Sequence, residues 1–313
     1  MWWRAMRVCA PCLAKRGVNP TNYQEVLPVA KAPVSVVVES VRESDLAARL
    51  SEVALRAMGL EGELPLRVWV FEVSVQSHVV LLLLHHIASD GWSLGPLFRD
   101  LSMAYGARLE GRPPSYAPLS VQYGDYTLWQ RQVLGEVSEP ESLLSKQLAY
   151  WCETLAGLPE EMALPRDRPR PSVASDEGGV IRFELSEELH TGVRRLAQSS
   201  GSTVFMVLQA ALAALLCRLG AGDDLAIGTP IAGRGESGLE DLAGFFVNTL
   251  VLRIDVSGDP SFEALVGRVH ERALEAYEHA DVPFERVVEA LNHRALAVAS
   301  PVVSGDVGAS EHA

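Results

Sequence analysis

Val79-Val80-Leu81-Leu82-Leu83-Leu84-His85-His86-Ile87-Ala88-Ser89-Asp90-Gly91-Trp92-Ser93 is the stretch on which the reading of the fold turns. The run from Val79 to Leu84 reads as a strand buried on both faces, because only such a strand favours unbroken branched aliphatics. Two histidines close it, and Asp90-Gly91 follows as a turn pair. Ser93 is then expected to cap a helix, with Leu94, Leu97, Phe98, Leu101 and Tyr105 at helical spacing. A strand that delivers titratable groups and turns straight into a helix is a common way to build a site.

Side chains alternate along a strand, so His85 and His86 are expected on opposite sides, one toward the core and the other toward a cavity. Asp90, just past the turn, can hold an imidazole or the local backbone in place. The plain alternative is a satisfied pair of core histidines beside an exposed turn aspartate. The gathering of ionisable groups after a buried strand favours a site. A metal site is not expected: His86 and Asp90 supply at most two ligands, and a catalytic zinc usually takes three from the protein.

The string LHHIASDGWS resembles the His-His-x-x-x-Asp-Gly motif of the condensation domains of nonribosomal peptide synthetases. Three further blocks match in order: YGDYTLW (Tyr123 to Trp129), GFFVNTLVLR (Gly244 to Arg253) and HADVPFE (His279 to Glu285). The text between them is similar as well, and the resemblance covers residues 23 to 292. It implies an α/β fold of two chloramphenicol acetyltransferase-like sandwich lobes facing a central cleft, both incomplete at the chain ends. It also implies a tunnel entered from opposite faces by two carrier-protein arms. Heterocyclisation domains carry an aspartate-rich motif instead. Epimerisation domains share the histidine motif but typically place Ser before Trp, where this chain has Gly91-Trp92-Ser93. Within condensation domains, SLGPLFRDLSMAY resembles members that accept a D-configured donor.

Composition agrees with a soluble cytoplasmic protein. The chain has 313 residues and 48% hydrophobic content, enough to bury a large core in two lobes. A net charge of −13 argues against nucleic acid and anionic membranes as partners. No apolar run reaches the ~18 residues of a membrane span. The four cysteines are scattered except for Cys9 and Cys12, which points to a reducing compartment.

The two ends read differently from the rest. Residues 1–20 show neither helical nor strand period, and they stand where the family carries Arg-His-Glu-x-Leu-Arg-Thr-x-Phe. A permitted choice of codons for Trp2 to Leu13, read two bases downstream, spells Val-Ala-Arg-His-Glu-Ser-Leu-Arg-Thr-Leu-Phe. Ser300 to Ala309 can likewise be encoded so that one base downstream gives Ala-Arg-Leu-Phe-Gln-Val-Met-Leu, close to the family's continuation. Residues 1–20 and 293–313 are therefore expected to be out-of-frame translations flanking an authentic core. Resequencing the locus in all frames tests this.

Between the ends the expected order alternates. Strand Val34–Val41 and helix Ser44–Met58 lead to a hairpin of Leu66–Ser74 with His78–Leu84, and then to helix Gln122–Val133. Tyr123, Tyr126 and Trp129 in that helix read as a packing stripe. Pro165–Pro171, a stiff connector, is the expected boundary between a lobe spanning 21–171 and one spanning 172–292. The second lobe is expected to hold strand Val180–Leu185, helices Glu187–Gln198 and Thr203–Leu219, strand Leu225–Thr229, and a loop through Arg234. Strand Val247–Val256 and helices Phe262–His279 and Pro283–Leu291 complete it. Gly244 marks a tight approach before its strand.

The resemblance implies amide formation between a carrier-bound acyl or peptidyl thioester and the amine of a carrier-bound aminoacyl thioester. The implied substrates ride on the 4'-phosphopantetheine of upstream and downstream peptidyl carrier domains, with an adenylation domain nearby and no cofactor held by this chain. His86 is the expected base or hydrogen-bond anchor. Asp90 is expected to orient the loop with an arginine, for which Arg234 is the candidate. Gly91 is expected to admit substrate or backbone and to aim its amide at the oxyanion, His85 to support the pair, and Asn248 to bond the backbone or a substrate. Competing readings are a noncatalytic remnant, a carrier-binding platform, and an epimerisation-type member of the same superfamily.

Overall fold

The computed structural model describes residues 11–16, 21–28, 31–60, 63–159, 162–169 and 179–291. Cys9 and the whole 293–313 segment, with its expected change of frame, lie outside them. The chain divides into two compact units, one running through Gln132 and including Ala232–Val247, the other taking Val133–Ile231 and the residues from Asn248 on.

In the first unit β1 (Pro11–Arg16) pairs antiparallel with β2 (Thr21–Val26), so part of the stretch read as lacking strand period forms a ladder. The main sheet has the order β3 (Val36–Ser40), β4 (Leu66–Glu72), β5 (His78–Leu84). The first two strands are parallel and are joined through α1 (Glu43–Ala54), the longer crossover that a parallel pair requires; β5 returns antiparallel. Val79, Leu81 and Leu83, on one face of β5, pack with Leu46, Leu50 and Val53 of α1 and with Trp69 and Phe71 of β4. The opposite face is less covered, and Val80 is 51% exposed. The leucine run is thus a half-buried strand at the sheet edge among the described residues, not one covered on both faces. A run of identical aliphatics fits either setting, so the pattern alone did not distinguish them. The unit continues with α2 (Leu94–Leu109) and α3 (Tyr123–Leu134).

The second unit holds α4 (Leu143–Thr154), α5 (Glu187–Ser199), α6 (Val204–Arg218), the antiparallel pair β6 (Asp224–Ile231) and β7 (Asn248–Asp255), α7 (Phe262–Glu278) and α8 (Phe284–Leu291). Ser142, Ser186, Thr203 and Ser261 each accept a hydrogen bond from the backbone N–H three residues on, which is why these helices start where they do. Ala210 and Ala213 of α6 and Ala273 of α7 are fully buried, and their small side chains let the helices approach the β6–β7 pair, whose Leu225, Ile227, Leu252 and Ile254 share the core.

Two expectations about this half are corrected. The division falls after Gln132, well before Pro165–Pro171, because Leu144, Leu148 and Trp151 of α4 pack into the second unit's core. Val180–Leu185 forms no strand: Val180, Ile181 and Phe183 are exposed, and no described residue offers the ladder partner that strand backbone needs.

Candidate functional site

The chain leaves β5 at Leu84 and makes two short 3-10 turns, His86–Ala88 and Gly91–Ser93. His85 and His86 therefore do not alternate as strand neighbours. His85 caps the first turn, its Nδ1 accepting from the Ile87 N–H at 3.1 Å, which places the proton of the neutral ring on Nε2. The His86 side chain is exposed, and its ring meets Phe245 edge-on, 5.1 Å between centroids at 81°.

Asp90 caps the second turn, so Ser93 does not serve as the side-chain cap of α2: its own backbone is already helical, at φ −64 and ψ −22. Ser93 instead closes a capping box with Asp90. Asp90 Oδ1 accepts from the Ser93 N–H (2.8 Å), the Ser93 hydroxyl (2.8 Å) and Arg234 Nη2 (2.9 Å), while Oδ2 accepts from the Phe246 N–H at 3.0 Å. The Asp90 and Arg234 side chains are 0% and 6% exposed. Burial alone pushes the Asp90 carboxyl up, but the Phe246 amide, Ser93 and Arg234 outweigh it and hold the group below its ordinary range.

Arg234 also donates through Nη1 to the carbonyls of Leu239 (2.6 Å) and Leu242 (2.8 Å), and its guanidinium lies 4.1 Å from the centre of the Phe246 ring. The turn before it needs glycine: at Gly233, φ +63, a Cβ would fall 1.9 Å from the Phe246 carbonyl oxygen. The Ala232–Val247 loop is thereby folded onto the histidine turn. Gly244 completes the approach, since a Cβ there would sit 2.4 Å from the Tyr123 ring. Tyr123 donates its hydroxyl to the Phe245 carbonyl at 2.7 Å, and burial pushes that phenol up to about 12.

The structure thus gathers His85, His86, Asp90, Gly91 and Arg234 at one end of α2 in the first unit. Space beside Gly91 is open: a Cβ there would meet no atom within 4 Å. Asn248 is saturated elsewhere, in the second unit. Its amide donates to the carbonyls of Ala280 (2.9 Å) and Val282 (2.8 Å), and its carbonyl accepts from the Thr249 (2.9 Å) and Phe284 (3.0 Å) N–H groups. Sequence reasoning passed over Ser93 as a loop pin and Phe245 as the ring against His86. The only signal for them was that both lie inside the matched blocks. Among the described residues, no group of three or more His, Cys, Asp or Glu side chains is placed to hold a metal ion, and no single helix is long and apolar enough to cross a membrane.

Residues 16–307 match the family model described as Condensation domain. A nonribosomal peptide synthetase of Salinispora arenicola, CymA, is 55% identical over 276 residues, covering 88% of this chain and 4% of that protein. The dimodular nonribosomal peptide synthase of Bacillus subtilis is 49% identical over 272 residues, covering 87% of this chain and 11% of that protein. The chain thus spans a small part of either relative's length. Among solved structures, the X-domain from teicoplanin biosynthesis superposes with a TM-score of 0.86 at 36% identity, over 94% of this chain and 64% of that one. The first condensation domain of the calcium-dependent antibiotic synthetase, at 20% identity, shares the fold with a TM-score of 0.73 over 93% of this chain and 67% of that one.

Proposed function

This chain belongs to the condensation-domain family of nonribosomal peptide synthetases, and on that premise we propose that it joins a carrier-bound acyl or peptidyl thioester to the amine of a carrier-bound aminoacyl thioester. The observation that carries this reading is the exposed His86 ring on a turn anchored by the buried Asp90–Arg234 ion pair.

A thioester is already activated, so the amine attacks its carbonyl carbon directly. The C–N bond forms, the C–S bond breaks, the amine loses a proton, and the donor arm leaves as a thiol. Alignment of the two reactants can lower the barrier by about 7–11 kcal/mol, whereas a general base contributes about 10²–10⁴-fold in rate. Positioning is therefore the larger share of the catalysis. His86 takes the amine proton or anchors the amine by a hydrogen bond. The open side of Gly91 admits the substrate, with its amide toward the developing oxyanion. Asp90 and Arg234, sealed from solvent, hold the turn and do not meet substrate; His85 holds the Ile87 N–H of the turn.

The substrates ride on 4'-phosphopantetheine of upstream and downstream peptidyl carrier domains, with an adenylation domain as a neighbour, in the cytoplasm. Mixing the chain with two loaded carriers and weighing the intact carriers by mass spectrometry tests the reading. The expected result is the peptide on the acceptor carrier, and its loss in His86→Ala. Carrier binding without product in the native chain would replace this reading with that of a binding platform.

A further inference from the structure

We infer that Phe245 is a positioning residue that sets the orientation of the His86 imidazole, and that the polar network around Asp90 exists to hold Phe245 in place. The inference rests on the proposed role of His86. No described residue hydrogen-bonds the His86 ring, so its orientation is left to packing, and Phe245 supplies the ring-to-ring contact at 5.1 Å.

The backbone beneath Phe245 is held at three consecutive residues. Ser93 Oγ accepts from the Gly244 N–H at 3.1 Å and faces the Gly244 carbonyl at 2.9 Å. The Tyr123 hydroxyl donates to the Phe245 carbonyl at 2.7 Å, and the Phe246 N–H donates to Asp90 Oδ2 at 3.0 Å. Two of these anchors, Asp90 and Ser93, belong to the same turn sequence that carries His86. The imidazole and the ring against it are thus referenced to one another through a short, buried set of bonds.

Neighbouring phenylalanines divide the labour. Phe246 turns inward, beneath the Arg234 guanidinium and against Tyr123 (5.1 Å) and Tyr126 (4.8 Å). Phe245 is left to face His86, only partly buried. An inward ring alone would serve stability; the pair is arranged so that stability and orientation are carried by separate residues.

The test uses the full chain with ring-labelled histidine, the His86 signals being identified by their absence in His86→Ala. In Phe245→Leu the ring-current contribution to the His86 signals is expected to vanish, and the three-bond couplings that report its χ1 are expected to move to rotamer-averaged values. Turnover in the two-carrier assay should fall by about 10²-fold in kcat, the scale of a small misplacement of a reacting group, with KM little changed. Phe245→Tyr, which keeps the ring, should restore both. Tyr123→Phe, which frees the Phe245 carbonyl and leaves both rings in place, should average the couplings in part. His86 couplings and signals that stay at native values in Phe245→Leu overturn the inference, as does unchanged kcat. A native chain without turnover counts against the condensation reading instead, and the NMR comparison then judges the orientation by itself.

Discussion

On Asp90 four donors converge: a backbone amide and a hydroxyl from Ser93, a guanidinium from Arg234, and the Phe246 amide. A carboxylate so enclosed is stable only as an anion with all its partners present. Removing the charge strands a buried guanidinium, and breaking such a pair costs about 3–5 kcal/mol. Asp90→Asn is therefore expected to lower the free energy of unfolding at neutral pH, read from urea denaturation, by an amount in that range. The pH dependence has a definite sign. The folded pKa lies below the usual ~3.9 of an unfolded aspartate, so the ion pair's contribution is complete above that value and is lost as pH falls through the folded pKa. The gap in stability between native chain and Asp90→Asn should narrow on acidification. A gap that stays constant from neutral pH to well below the folded pKa would show that the charge at this position contributes nothing.

Among the elements, the start of α8 and the end of α7 depend on side chains from distant parts of the second unit. Gln147 of α4 donates to Asp281 Oδ2 (2.8 Å) and accepts from the Val282 N–H (2.9 Å), Trp151 donates to the His279 carbonyl (2.9 Å), and Tyr150 stacks on the His279 ring at 3.7 Å. Asn248, at the first residue of β7, holds the same connector with three of its four hydrogen bonds. Leaving a buried polar group without its partner costs about 1–3 kcal/mol. Asn248→Ala is expected to destabilise the chain by about 2 kcal/mol or more, read from denaturant unfolding, with accelerated amide exchange at Val282 and Phe284. Asn248→Asp should be worse, because a carboxylate would face two carbonyl oxygens in place of two N–H donors. An Asn248→Ala chain as stable as the native one would mean that the connector is held without it.

At the scale of the whole molecule, the second unit distributes its apolar surface unevenly. Ile227 is fully buried in the second unit's core, whereas Ile181 is 91% exposed. Large-to-small substitution in a packed core costs about 2–5 kcal/mol, while surface changes usually stay within about 0.5 kcal/mol. Ile227→Ala should therefore shift the unfolding midpoint strongly and Ile181→Lys hardly at all. Ile181→Lys should also raise the concentration at which the chain begins to aggregate, followed by light scattering, since exposed apolar strand-like segments template association. A large loss of stability in Ile181→Lys would reveal a partner for this segment within the chain.

What the amino-acid order settled by itself was whatever depends on near neighbours. The helices at Val204–Arg218 and Phe262–Glu278 and the sequence blocks that mark the family are local, because helix formation is decided within a turn or two. The pairing of Asp90 with an arginine was legible as chemistry, since a carboxylate beside a turn calls for a partner, and in the structure Arg234 lies 2.9 Å from it. Tertiary structure alone decided that Ser93 pins Gly244 across the fold and that, among the described residues, the leucine run lies at a sheet edge and Val180–Leu185 has no ladder partner. It also decided that α4 packs with the second unit's core and that Phe245 meets His86. Those outcomes depend on groups more than a hundred positions apart, or on whether a hydrogen-bonding neighbour exists at all. Neither is written in the spacing of residues along a chain.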